Sequence, residues 1–155
     1  MRPASHGIDR IAVTFDEPSL VANAGLLLIA TLVKRLGLEE LVDAVVRIPS
    51  KLGGFSPGCK VCTFVHAMVA GATHIDHADV LRAGATEAVL SHRVMAPSTL
   101  GTFLRAFTFG HVRQLEAVVA EVLRRAWGAM TLPSRLVVDV DSTICEVTTA
   151  MPSSP

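Results

Sequence analysis

Tyrosine is missing from the sequence and tryptophan occurs once, so aromatic residues make up only 5% of its 155 positions. Sandwiches of β-strands lean on aromatic and β-branched side chains; this chain takes its apolar content mostly from Ala, Val and Leu, which favours packed helices. Cysteine is scarce too, with only Cys59, Cys62 and Cys145. Cys59-Lys60-Val61-Cys62 is a C-x-x-C. Zinc would need a second pair, and the flanking pattern is helical rather than the βαβ setting of a redox motif. These read as structural thiols in a reducing, cytoplasmic chain.

An excess of charge is also lacking. Lys plus Arg number 14 and Asp plus Glu number 14, so the chain as a whole is no electrostatic glove for nucleic acid. Half of the residues are hydrophobic and mean hydropathy is +0.48. Even so, the longest charge-free runs, 18–33 and 61–75, fall short of the roughly 18–20 apolar residues that span a bilayer. Buried helices are expected there, with no membrane as partner. The opening "MRPASHGIDR" has no basic n-region followed by an apolar stretch, so no secretory signal is expected.

What is present is a succession of helix signals in a chain about one domain long. Residues 1–22 read as an N-terminal arm, with a short strand at "DRIAVTFDEP" (9–18), and 23–134 as a helical domain. "NAGLLLIATLVKRLG" (23–37) has a possible N-cap at Asn23, basic residues in its last turn and Gly37 at its end. "LEELVDAVVRI" (38–48) puts Leu38, Leu41, Val42, Val45 and Val46 on one face. Ser56-Pro57 is a strong helix start. "HIDHADVLRAG" predicts a short helix near Asp76 to Ala83, stopped by Gly84. Further on, Ser98 or Thr99 can cap a helix over 99–109, Gly110 breaks it, and an amphipathic helix follows over 111–127. Its stripe is Leu115, Val118, Val119, Val122 and Leu123. Two helices joined at a glycine fit a helix-turn-helix or an ordinary αα-hairpin.

Charge distribution is more informative than its sum. Arg93, Arg105, Arg113, Arg124 and Arg125 crowd residues 91–128, followed by an acidic segment with Asp139, Asp141 and Glu146. A polyanion partner would use the first and a cation the second; a solvated helix face also explains the arginines. His74, Asp76, His77 and Asp79 have two histidines at i,i+3, but no obvious third ligand.

"LVVDVDSTICEV" (136–147) carries the sharpest signal. On a strand, Asp139 and Asp141 share one face, because side chains repeat every two residues. Paired carboxylates repel unless a proton or cation separates them, and hard oxygen ligands suit Mg2+. Two solvated acids at a strand end are the plainer alternative.

This string resembles the opening motif of haloacid-dehalogenase-type phosphatases, in its phosphoserine-phosphatase-like form. That resemblance implies Asp139 as nucleophile and Asp141 as general acid/base, but almost none of the α/β domain that should follow is here. The string also resembles the first catalytic motif of DDE transposases from bacterial insertion sequences, in the subgroup with D-x-D-S-T. Here the likeness extends along the chain: "FDEPSLVANAGLLLIATLVKRLGL" (15–38), "HADVLRAG" (77–84) and "MAPSTLGTFLRAFTFGHVRQLEAVVAEVL" (95–123) occur in that order.

The transposase resemblance implies a mainly α fold, with helices leading into the first strand, at 135–147, of an incomplete RNase H-like core. It implies DNA, at insertion-sequence ends, as partner. Phosphodiester cleavage and strand transfer by Mg2+ would use Asp141 as the first catalytic residue and metal ligand, with Asp139 as the fallback. The five arginines are candidate phosphate contacts by charge. The family's second Asp and its Glu are absent from these residues, so little or no Mg2+ binding and no activity are expected. After Val147, "TTAMPSSP" (148–155) departs from the family pattern and is expected to be an aberrant, unstructured tail from a frameshift or early stop. Self-association, or association with a full-length transposase, is expected of such a fragment.

Overall fold

The computed structural model describes residues 19–48, 54–90 and 92–131, together with 135 and 137. Its described elements are six α-helices and one 3-10 helix. The expected mainly α architecture is what it shows. The strands expected at 9–18 and 135–147 and the tail at 148–155 lie outside the described residues, apart from Arg135 and Val137.

Helix α1 spans Leu26–Leu36. It starts later than the sequence suggested. Asn23 contributes its backbone, accepting from Leu26 N–H at 3.0 Å, and Gly25 occupies the N-cap position. Gly37 ends the helix in the left-handed region (φ 63°, ψ 42°), where glycine lacks the Cβ penalty. The same glycine precedes α2, Leu38–Val45, so the chain turns a corner within one residue. α2 is shorter than expected: Val46 is already extended. Pro49 lies just beyond, and the residue before a proline is pushed out of the α region.

Helix α3, Pro57–Val69, begins as the sequence foretold, with the Ser56 side chain accepting from Cys59 N–H and Pro57 in the first turn. The expected helix over Asp76 to Ala83 is instead a 3-10 helix, Ile75–Arg82. The physical reason is its burial pattern. Ala78 and Leu81 are buried and Ile75 packs beside them, one inward residue in every three, which is the 3-10 period. α4, Thr86–Val89, is a single turn. Before it, the isolated antiparallel bridge Val21↔Gly84 ties the start of the described chain to this region.

Helix α5, Pro97–Arg105, starts at its proline, ahead of the expected Ser98 or Thr99 cap. The break before α6 falls at 106–108, not at Gly110, which sits in the first turn of α6, Phe109–Gly128. There Thr108 N–H donates to His111 Nδ1 at 3.0 Å and satisfies a helix-start donor with a side chain.

Two apolar clusters form the core. One gathers Leu26, Ala30, Ala67, Leu81, Met95 and Leu100 from α1, α3, the 3-10 helix, the 92–96 segment and α5. The other joins Val42 and Val46 of the α2 region to Val118 of α6, flanked by Leu115 and Val122. α5 packs against the 3-10 helix, whereas α6 packs against α2 and α1. The two helices therefore divide between different partners instead of packing mainly on each other as an αα-hairpin would. No described helix is long and apolar enough to cross a membrane.

Candidate functional site

Asp139 and Asp141 lie outside the described residues. Among the described residues no group of three or more His, Cys, Asp or Glu side chains is placed to hold a metal ion. The His74–Asp79 stretch shows why. His74 and His77 meet edge to face, with ring centroids 5.2 Å apart, and both lie within reach of the Thr73 hydroxyl. Asp79 pairs with Arg82 at 3.0 Å. His74, His77 and Asp79 are thus engaged by their neighbours in the same stretch.

The C-x-x-C lies in the first two turns of α3, with both thiols buried. Cys59 S–H donates to the Arg93 carbonyl at 3.1 Å. Burial pushes the Cys59 thiol up, and the nearby Glu39 carboxylate pushes it further. Burial likewise pushes Cys62 up to about 12. Both causes favour the protonated thiol and oppose a reactive thiolate.

The five candidate arginines fall into two sets. Arg113 pairs with Glu116 at 2.8 Å on the same helix. Arg124 and Arg125 share Glu121, at 2.7 and 2.9 Å, and their hydrogen bonds hold that carboxyl down at about 2. Arg125 also reaches the Leu36 carbonyl at 2.6 Å, joining α6 to the end of α1. For these three, contact with a phosphate competes with carboxylates already in place. Arg93 and Arg105 are exposed and have no ion pair among the described residues.

Arg93 stacks on Phe55, its guanidinium 5.0 Å from the ring centroid. Lys60, which sequence reasoning passed over inside the C-x-x-C, lies 5.2 Å from the Phe103 ring. It also lacks an ion pair among the described residues. The Cys59 thiol, next to Lys60 in sequence, is hydrogen-bonded to the Arg93 backbone, while the two cations lie over different rings, Phe103 and Phe55. A basic side chain one residue from a buried thiol at a helix start was the available signal.

Arg105 borders a groove of about 1010 Å³ between α3, the 3-10 helix and α5. Its floor is apolar, with Phe64, Ala67 and Ile75, and its rim carries His74, Asp76 and Arg105. The described surface thus sets cationic groups beside aromatic rings at Arg93–Phe55 and Lys60–Phe103. No protein family, no curated protein and no solved structure matches this chain.

Proposed function

We propose that this chain is the N-terminal helical part of a DDE transposase of the D-x-D-S-T insertion-sequence subgroup. In this reading its 155 residues bind DNA at the ends of the element without carrying out strand transfer. One observation supports it above the others. The run "PSTLGTFLR", which carries the resemblance most specifically, is a single amphipathic helix, α5. It buries Leu100, Gly101 and Phe103 and turns Ser98, Thr102 and Arg105 outward. Hydroxyls and a guanidinium on the outer side of an anchored helix are the groups that contact a phosphate backbone.

Within this proposal Arg93, Lys60 and Arg105 make the phosphate contacts, because no described carboxylate competes for them. Asp141, with Asp139 beside it, contributes to the Mg2+ site of the intact family. Three carboxylates hold two metal ions in that chemistry, and residues 1–155 supply only the D-x-D pair of that set.

The test is fluorescence anisotropy of the chain with an element-end duplex and a scrambled one, titrated with salt. Three engaged cations give a log–log slope of about −2 to −3. Replacing Arg93, Lys60 and Arg105 by Ala should abolish most of that slope, while Arg113→Ala should leave it unchanged. Binding that is absent at physiological salt, or indifferent to all four substitutions, overturns the proposal. So does Mg2+-dependent hydrolysis of phosphoserine that Asp139→Asn abolishes, which would favour the phosphatase-like resemblance.

A further inference from the structure

Helices α3 and α5 both pack on the 3-10 helix and have little contact with each other. The space between them is the groove of about 1010 Å³, at the upper end of the roughly 300–1,000 Å³ of small-ligand sites. α5 contributes Pro97, Ser98, Gly101 and Arg105, one helix face over two turns. At about 1.5 Å per residue that face is about 12 Å long. Three extended residues, at about 3.3 Å each, fit beside it.

Two charges on the rim are uncommitted. The Arg105 guanidinium folds back along α5, with Nη1 3.5 Å from where a Cβ on Gly101 would stand and Nη2 donating to the Thr102 hydroxyl at 3.4 Å. Neither Arg105 nor Asp76 has an ion pair among the described residues, so they do not neutralise each other. Asp79, the other acid on the rim, is taken by Arg82 at 3.0 Å.

We propose that this groove binds a short apolar peptide with free ends. Its terminal carboxylate pairs with Arg105, its ammonium pairs with Asp76, and its aliphatic side chains lie on Phe64, Ala67 and Ile75. Charge complementarity selects this occupant. A fatty acid would engage Arg105 and leave Asp76 without a partner, and an apolar amine would do the reverse. A nucleic-acid strand would bring phosphates toward Asp76, where like charges repel. A ligand with both charges and apolar groups between them uses the whole groove. Covering the apolar floor supplies the gain, and the two charges fix the direction. Peptide binding is independent of the DNA reading, although a peptide carboxylate and a phosphate would compete for Arg105.

The test is an NMR titration of the isotopically labelled 155-residue chain with trileucine, without DNA. The amide signals of Ile75, Ser98 and Gly101 should shift saturably, with a Kd below about 1 mM. Amidating the peptide's carboxylate should weaken binding by about tenfold or more. Arg105→Gln should do the same to the free peptide and leave the amidated one unaffected. Acetylating the ammonium, or Asp76→Asn, should weaken binding by about threefold. Both residues are exposed, so neither substitution should move the unfolding midpoint. The absence of a saturable shift at these residues, equal binding of the amidated peptide, or octanoate binding as tightly as trileucine overturns the proposal. Loss of DNA binding leaves it standing, and loss of peptide binding leaves the DNA reading standing.

Discussion

His92 Nε2 lies 2.9 Å from His66 Nδ1, with both rings buried between α3 and the segment that leads to α5. The surrounding carbonyls settle the tautomers. His66 Nδ1 is 2.8 Å from the Cys62 carbonyl and His92 Nδ1 is 3.0 Å from that of Arg93. A carbonyl only accepts, so both Nδ1 atoms carry the proton. His92 Nε2 is then a bare acceptor that shares the His66 N–H, and His66 Nε2 is left buried without a partner.

This arrangement makes stability depend on pH. Burial lowers the His66 pKa below the ordinary histidine range, and His92 lowers it further, against the Cys62 carbonyl that favours the charged ring. The unfolded chain therefore takes up a proton at a pH where the folded chain does not. The His66 contribution is fully present above the unfolded pKa and is lost as pH falls through it, at up to about 1.4 kcal/mol per pH unit. Urea unfolding at pH 7.5 and 5.5 should show a lower midpoint at the acid end, and His66→Met should flatten the difference. Glu39, whose carboxyl burial pushes up, acts in the opposite sense, so the comparison of parent with variant isolates His66. Glu121 titrates too low to matter in this window. An identical pH response in the variant would exclude the histidine as its source.

Close approach of α3 to α2 gives a second prediction. Gly58 N–H donates to Asp43 Oδ1 at 2.6 Å, and a Cβ on Gly58 would run into the Glu39 carbonyl oxygen. The obstacle is backbone, which cannot swing aside, so Gly58→Ala should cost about 1–3 kcal/mol as overpacking. Gly128, at the end of α6, has no atom within 4 Å of the corresponding position. Gly128→Ala should be neutral or stabilising by up to about 1 kcal/mol. Thermal unfolding of the pair distinguishes a packing glycine from a permissive one.

Those two glycines show what sequence alone could carry. The Ser56-Pro57 start, the Gly37 corner and the apolar face of α2 around Val42 were legible, because each depends on residues within one or two turns of itself. The 3-10 winding of Ile75–Arg82 was not, since its three-residue burial pattern overlaps that of an α-helix over so short a run. The stripe on α6 was read as one face because Val119 and Leu123 adjoin Val118 and Val122 in sequence. Only packing against α2 separates the inner pair from the outer. Likewise five arginines looked equivalent as charges, and only the positions of Glu116 and Glu121 divide them into paired and unpaired sets.

Arg125 differs from its neighbour in a way that stability should register. Its Nη1 reaches the Leu36 carbonyl, one of the acceptors left open at the end of α1, while its Nε holds Glu121. A charged hydrogen bond between helices, part-buried, should cost about 1.5 kcal/mol or more when Arg125→Ala removes it. Arg124 meets only Glu121 at the surface, where ion pairs are screened. Arg124→Ala should leave the unfolding midpoint unchanged. Equal effects of the two substitutions would show that the link to α1 contributes little.

The thiols give the last prediction. A C-x-x-C at the start of a helix ordinarily has a lowered pKa, because the amide dipoles there favour a thiolate. In this protein the sign is inverted. Cys59 and Cys62 are enclosed by the core, and α2 presents Glu39 and Asp43 to the same helix end, so both burial and charge oppose ionisation. Asp43 already occupies the Gly58 N–H that a thiolate would otherwise use. In a Cys145→Ser background at pH 8, a thiol-reactive disulfide should therefore modify the native chain only as fast as it opens, and the unfolded chain at once. Cys59, one turn nearer the helix start, should react before Cys62. Glu39→Gln should speed the reaction at Cys59 without destabilising the fold, since it removes a repelling charge and keeps the side chain's shape. Rapid modification of the folded parent at pH 7, or a reversible Cys59–Cys62 disulfide at cytosolic potentials, would instead return the motif to redox chemistry.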